Sequence, residues 1–307
     1  MADQHTVLCN TTSYNYSEIP GTVRLIKNSL HKRLSENEVL DLIRKYSPVG
    51  IIAGIEPITE RVLASAGSLK VVSRCGIDLE TIDQKAARKL GITVLRTHLA
   101  PDVPVAELTV AMILSLLRKL TELDSMVRTN RWERKVTGLL RGKMVGIIGC
   151  EVLGTRVSSI LSAFECSLMG YDPGVQAHKA CEMVSLDFLI RNSDIITLNM
   201  PLRQDNYHLI GKEQIDKMKN GVIIINTSRP GLIDEDALAG GLKSGKVGGA
   251  ALDVFEKEPY TGALIEFREN TILTPHVGSF AGTYRYDLEK EAMDNLLEAL
   301  RKQGIRV

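Results

Sequence analysis

What this chain lacks sets the first bounds on what it can be. No apolar run reaches membrane-spanning length: the longest, residues 108–117, stops at Arg118, and a bilayer needs ~20 residues. There is no excess of either charge, since 38 basic against 37 acidic residues leave a net +1. Neither nucleic acid nor an anionic membrane is therefore an expected partner. The opening MADQHTVLCN has no basic stretch followed by an apolar one, so a cytoplasmic rather than secreted protein is expected. The five cysteines, Cys9, Cys75, Cys150, Cys166 and Cys181, form no CxxC pair and no metal-type spacing. Reduced thiols and no metal site are the expectation. No activating base lies at a recognisable spacing from any of them, so none is expected to be a catalytic nucleophile. Low-complexity linkers and repeats of roughly 20–50 residues are absent too.

What the chain does have is a steady alternation of short apolar runs and amphipathic stretches. Its 307 residues are enough for two domains at roughly 100–200 residues each. The apolar fraction of 44% and charged fraction of 24% are those of an ordinary globular protein. Residues 6–9, 23–26, 50–54, 71–74 and 92–95 read as buried strands. Between them, Ser35 and Glu38 spell a capping box ahead of Val39, Leu40 and Ile43. Thr59 and Asp83 cap two further helices, the second stopped by Gly91. A longer helix over about residues 103–120 is apolar almost all round and should be buried. The alternation then resumes with strands at 144–148, 167–171, 194–199, 222–226, 248–254 and 271–273, and a helix over 286–302. Such an order predicts an α/β fold with parallel sheets covered on both faces.

Residues 144–154, MVGIIGCEVLG, run from an apolar strand through a glycine turn into a helix. That is the context in which a glycine fingerprint for a dinucleotide has meaning. Gly149 suits the tight turn and Gly154 the close packing of helix on sheet, while Asp172 lies 18 residues after Gly154. An acid there takes the adenosine ribose hydroxyls and disfavours a 2′-phosphate, so NAD is expected over NADP. The middle position of the turn is Glu151. A side chain there adds bulk, and its carboxylate would repel a diphosphate.

Three later segments carry acid–base chemistry. In INTSRPGLIDEDAL (225–238) a buried strand delivers Arg229 at its C-terminal end; GGAALDVFEKEP (248–259) presents Asp253 and then Glu258; ILTPHVGS (272–279) fixes His276 behind Pro275. Moving a hydride between a 2-hydroxy acid and a nicotinamide requires a base for the hydroxyl proton. Histidine has the right pKa, and a carboxylate partner orients it and stabilises its cation. A guanidinium can hold the substrate carboxylate bidentately. Arg229, Glu258 and His276 fill these roles together, though each alone has an ordinary structural reading.

At this point the chain resembles the D-isomer-specific 2-hydroxyacid dehydrogenases, the group that includes phosphoglycerate dehydrogenase. The likeness rests on SRCGIDLETID (73–83), VAEL (105–108), RGKMVGIIG (141–149), NTSRPGLIDEDAL (226–238), GGAALDVFEKEP (248–259) and TPHVGS (274–279). It implies a Rossmann-type NAD domain (100–276) inserted into a flavodoxin-like substrate domain (1–99 and 277–307), both doubly wound, with no regulatory domain. It implies catalytic roles for Arg229, Glu258 and His276. Cofactor contacts are implied at Gly149, Glu151, Val152, Leu153, Gly154, Asp172, Asn199, Pro201, Thr227 and Asp253. Substrate contacts are implied at Arg74, Cys75, Gly76 and Ile77, the last three through backbone N–H groups. Its partners would be a small 2-hydroxy or 2-keto acid and, through the cofactor domain, a second copy of the chain.

The chain also departs from the family. Glu151 and Val152 replace a glycine and a common arginine, Pro230 follows Arg229 where glycine is commoner, and Asn199 stands where many members have histidine. Ala53 and Gly54 stand about where phosphoglycerate dehydrogenases place an arginine and a serine for the phosphate, which argues against 3-phosphoglycerate as substrate. His98 and Glu56 are further candidates for the substrate pocket, with a solvated loop carboxylate the plainer reading of Glu56. A non-enzymatic NAD-sensing or scaffold protein on the same fold is the alternative function.

Overall fold

The computed structural model describes residues 4–307. Contacts divide it into two units, one from the N-terminus through Ala100 together with Ala281–Val307, the other Pro101–Phe280.

In the first unit, β1 (His5–Cys9), β2 (Val23–Lys27), β3 (Gly50–Ala53), β4 (Val71–Arg74) and β5 (Thr93–Arg96) form one sheet of order β2-β1-β3-β4-β5. Every pairing is parallel. Strands buried on both faces must be apolar throughout rather than alternating, and Ile51, Ile52, Val71 and Val72 are all fully buried. One face is covered by the helices Glu36–Tyr46, Glu60–Ala64 and Gln84–Lys89. Their starts follow the local chemistry. Ser35 and Glu38 make the reciprocal capping box, and the Thr59 and Asp83 side chains accept from Val62 and Ala86 N–H groups. The other face is covered by the helix Gly282–Lys302, which buries Leu288, Met293, Leu296 and Leu300 against it. At roughly 1.5–3 kcal/mol per buried side chain, these four residues alone hold the C-terminal segment to the N-terminal sheet.

The second unit has a seven-stranded parallel sheet. Its members are β6 (Met144–Ile148), β7 (Ser167–Tyr171), β8 (Glu182–Met183), β9 (Ile195–Leu198), β10 (Val222–Asn226), β11 (Val247–Leu252) and β12 (Thr271–Leu273), in the order β12-β11-β10-β9-β6-β7-β8. Strand order reverses between β6 and β9, and in such sheets ligands bind beyond the carboxyl ends at that switch point. The apolar helix Asp102–Leu117 packs on one face together with Val152–Leu161. It ends three residues earlier than its sequence suggested, because Lys119 takes a left-handed conformation and a second helix, Leu120–Arg128, begins. The strand β8 was not expected: two half-exposed residues at a sheet edge carry no apolar run to betray it.

Candidate active site

The turn after β6 is built on two glycines that have no room for a side chain. At Gly149, with φ +94°, a Cβ would lie 2.7 Å from the Asn199 carbonyl carbon and the Met200 nitrogen. At Gly154 it would lie 1.9 Å from the Gly149 oxygen. Glu151 between them has a negative φ of −75°, so this position does not need the left-handed conformation that favours glycine. Its side chain is exposed and makes no cap to the helix Val152–Leu161. The helix N-terminus is therefore left to offer its first N–H groups to an anion. Asp172, just past β7, accepts from the Cys150 and Gly174 N–H groups, both at 2.8 Å, so its carboxylate is fixed beside the turn. An open cavity lined by Glu151, Tyr171, Asp172, Pro173, Pro201 and Arg203 lies beside this turn. Small turn residues, a free helix N-terminus and a fixed acid together fit a dinucleotide.

Val152 is exposed, and Leu153 packs into the apolar layer under the helix. The Asn199 side chain is buried and folded back on Thr197. Thr227, just past β10, shares a 2.6 Å hydroxyl contact with Thr109.

The acid–base residues of the same unit converge. His276 Nδ1 stands 3.0 and 3.1 Å from the two carboxylate oxygens of Glu258. A carboxylate only accepts, so Nδ1 carries the proton and Nε2 is left for chemistry. The Glu258 hydrogen bond raises the His276 pKa against the opposing effect of burial, and the side chain remains 45% exposed. Glu258 is itself steadied by the Phe255 N–H at 3.2 Å. Arg229 lies close enough to disfavour the imidazolium. It is presented by a tight loop in which Asn226 Nδ2 donates to the Arg229 carbonyl and Asn226 Oδ1 accepts from the Ser228 N–H.

Sequence reasoning missed what holds His276 there. This residue has φ +55°, a strained left-handed value for a non-glycine. The strain is held by Asp253, which is buried at 1% exposure. Its carboxylate accepts from the Thr274 hydroxyl and from the Val277 and Gly278 N–H groups, the last two at 2.8 Å. Burial pushes the Asp253 pKa up and these hydrogen bonds oppose it. Asp253 thus clamps the histidine loop to β11. The one available sign was an acid at a strand end; its partners lie 21 to 25 positions away.

In the first unit, the proposed substrate loop follows β4. The Cys75 N–H is spent on the Ala53 carbonyl at 2.9 Å, leaving Gly76 and Ile77 to supply N–H groups. Arg74 is buried beneath that loop, with Nη1 donating to the Cys75 carbonyl at 2.7 Å. Its guanidinium lies 3.0 Å from where a Cβ on Gly76 would stand. Glu56 corrects the expectation of a solvated carboxylate. It is 1% exposed, accepts from the Gly54 N–H at 3.1 Å, and burial raises its pKa. His98 is exposed and bonded to Glu291 on the C-terminal helix. Among the described residues no His/Cys/Asp/Glu group could hold a metal ion, and no helix is long and apolar enough to cross a membrane.

Comparison with known proteins gives three findings. Residues 110–278 match the family model of the D-isomer specific 2-hydroxyacid dehydrogenase, NAD binding domain. The chain is 34% identical to a hydroxypyruvate reductase of Thermotoga maritima, over 88% of this chain and 90% of that one. It is 32% identical to a D-3-phosphoglycerate dehydrogenase of Synechocystis over 87% of its own length. The chain spans about half the length of that relative and of other phosphoglycerate dehydrogenases it matches. Among solved structures, a D-lactate dehydrogenase of Aquifex aeolicus complexed with NAD and lactic acid superposes with a TM-score of 0.76 at 25% identity, covering 97% of this chain and 96% of that one.

Proposed function

This chain belongs to the D-isomer specific 2-hydroxyacid dehydrogenase family, and on that footing we propose that it interconverts a D-2-hydroxy acid and its 2-keto acid with NAD. The observation that carries the reading is the Glu258–His276 pair, with Nδ1 held by both carboxylate oxygens and Nε2 directed to reaction. In reduction, Nε2 gives its proton to the substrate's keto oxygen; in oxidation it takes the proton of the hydroxyl. Glu258 stabilises the imidazolium in either direction. Arg229 binds the substrate carboxylate and polarises the adjacent carbonyl. The Gly76 and Ile77 N–H groups offer a second hold on that carboxylate. The turn Gly149–Gly154 and the helix behind it would hold the diphosphate, and Asp172 the adenosine ribose. Bound NAD supplies the acceptor, and NADH the donor, of the hydride at C2.

The first unit is the substrate domain in this reading and the second the cofactor domain. Ala53 is fully buried and neither it nor Gly54 brings a cation, which favours an unphosphorylated substrate. The protein acts in the cytoplasm, in keeping with five thiols outside any disulfide. It works as a homodimer through the cofactor domain, a reading supported by Trp132, Val136 and Leu139, which that unit leaves exposed. NADH absorbance followed with pyruvate, glyoxylate, hydroxypyruvate and 3-phosphohydroxypyruvate tests the function. Turnover with an unphosphorylated acid ahead of the phosphorylated one is expected. No turnover with any of them would turn the reading toward a non-enzymatic NAD-binding protein, and a preference for the phosphorylated acid would overturn the substrate class.

A further inference from the structure

Gly170, in β7, has no room for a side chain because two cysteines and a methionine occupy the space above it. A Cβ there would lie 2.8 Å from Cys150 Sγ, 2.8 Å from Met183 Sδ and 3.1 Å from the Cys181 Cβ. Cys150 and Cys181 therefore share one small enclosure, in which Cys150 Sγ also faces the Ile147 and Tyr171 carbonyls. Both are buried, at 3% and 7% exposure. Cys150 is also part of the dinucleotide turn. It follows Gly149 directly, and its N–H holds the Asp172 carboxylate at 2.8 Å. On its other side the turn lies close to the backbone of Asn199 and Met200, where Gly149 has no room for a Cβ.

We infer that Cys150 and Cys181 are a reversible disulfide site whose closure weakens dinucleotide binding at the turn that carries Cys150. The gating part rests on the NAD reading above. Cys181 is the attacking sulfur, because it directly follows the exposed segment 173–180, whereas Cys150 Sγ is turned to the Ile147 and Tyr171 carbonyls. Access comes from the segment between β7 and β8, which is turns and bends with mostly exposed residues over 173–180. With a hydroperoxide as oxidant, the Cys181 thiolate attacks one peroxide oxygen, the O–O bond breaks, and the departing hydroxide takes up the proton that the Cys181 thiol released and leaves as water. Cys150 sulfur then attacks the Cys181 sulfenic sulfur as its own proton passes to the leaving hydroxide. One S–S bond forms and a second water departs, the two thiols having supplied the two electrons that reduce the peroxide. A thiol reductant reverses the bond by exchange. Closing the bond fixes the two sulfurs at about 2.05 Å. The displacement this requires falls on Cys150 and on the N–H that fixes Asp172.

The test uses the full chain, reduced, then exposed to hydrogen peroxide, alkylated and digested. NADH affinity is measured by calorimetry before oxidation, after it, and after dithiothreitol. Expected are a peptide pair linked through Cys150 and Cys181, NADH binding weakened by about tenfold or more, and full recovery on reduction. Cys181→Ser should bind NADH like the reduced parent and keep that affinity under peroxide, and Cys166→Ser should respond as the parent does. Absence of the linked pair overturns the site. A linked protein that binds NADH undiminished overturns the gating, as does equal loss of affinity in Cys181→Ser. If the reduced parent itself fails to bind NADH, the functional reading and the gating fall together; the linked pair, read by mass, still decides the site.

Discussion

Glu151→Gly isolates what a side chain costs at the turn proposed to hold the cofactor's diphosphate. The backbone at 151 has negative φ, so glycine's freedom for left-handed conformations is not called on there. The helix loses little as well, because Glu151 makes no side-chain cap and glycine is a tolerable N-cap residue. Any gain in affinity then comes from removing charge and bulk. The carboxylate is exposed and lines the same cavity as Asp172, so its repulsion of a diphosphate belongs on the surface scale of about 1 kcal/mol rather than that of a buried pair. Adding a few tenths for closer backbone approach gives ~1.4 kcal/mol, or about tenfold in Kd. Glu151→Gln removes the charge alone and should recover about fivefold. Titration calorimetry or NADH fluorescence at low salt measures all three proteins. Raising the ionic strength to about 1 M, where the screening length is ~3 Å, should bring parent and glutamine variant together. Equal affinities at low salt would mean the carboxylate stays clear of the diphosphate. Weaker binding in the glycine variant would refute the reasoning outright, since Glu151 would then be a favourable contact.

Other perturbations probe the rest of the site. Glu258→Gln removes the partner that raises the His276 pKa, so the controlling pKa should fall. Reduction needs protonated His276 and fades as pH rises through that pKa, so its profile should shift to lower pH; oxidation, which needs the neutral ring, should gain its rate at lower pH. An unmoved profile would detach Glu258 from the histidine, and His276→Ala should lower kcat by about 10²–10⁴-fold. Gly154→Ala puts a Cβ 1.9 Å from the Gly149 oxygen and should destabilise by at least about 1–3 kcal/mol while weakening NADH; a wild-type melting temperature would show that the turn yields freely. Glu289 is fully buried and accepts from Arg285 Nε and the Asn15 and Tyr16 N–H groups. Its replacement by alanine should cost about 3–5 kcal/mol in denaturant unfolding, and a loss under 1 kcal/mol would mean water replaces it (about the surface value).

Eleven of the twelve strands among the described residues were legible as apolar runs because a parallel sheet buried on both faces permits little else. The helix caps at Ser35, Thr59 and Asp83 were legible because a cap is decided within four residues. The edge strand Glu182–Met183 was not, since its pairing to β7 owes nothing to its own sequence. The break at Lys119 was hidden for a related reason: the apolar stretch runs up to it, and only the backbone conformation interrupts the helix.

The site divides along the same line. Sequence alone named the residues proposed to carry chemistry: Arg229 just past a strand, Glu258 before a proline and His276 behind one, in local patterns a few residues long. Glycines 149 and 154 likewise declared a tight turn. Tertiary structure alone decided how those groups are held. It assigned Asp253 to the loop of His276, buried Glu56 where a solvated carboxylate was expected, and set Cys150 against Cys181. Local patterns are written in neighbouring residues because helices, strands and turns form over short spans. Pairings such as Asp253 with Gly278 join positions 25 apart in the chain, and only the sheet register brings them within hydrogen-bonding reach.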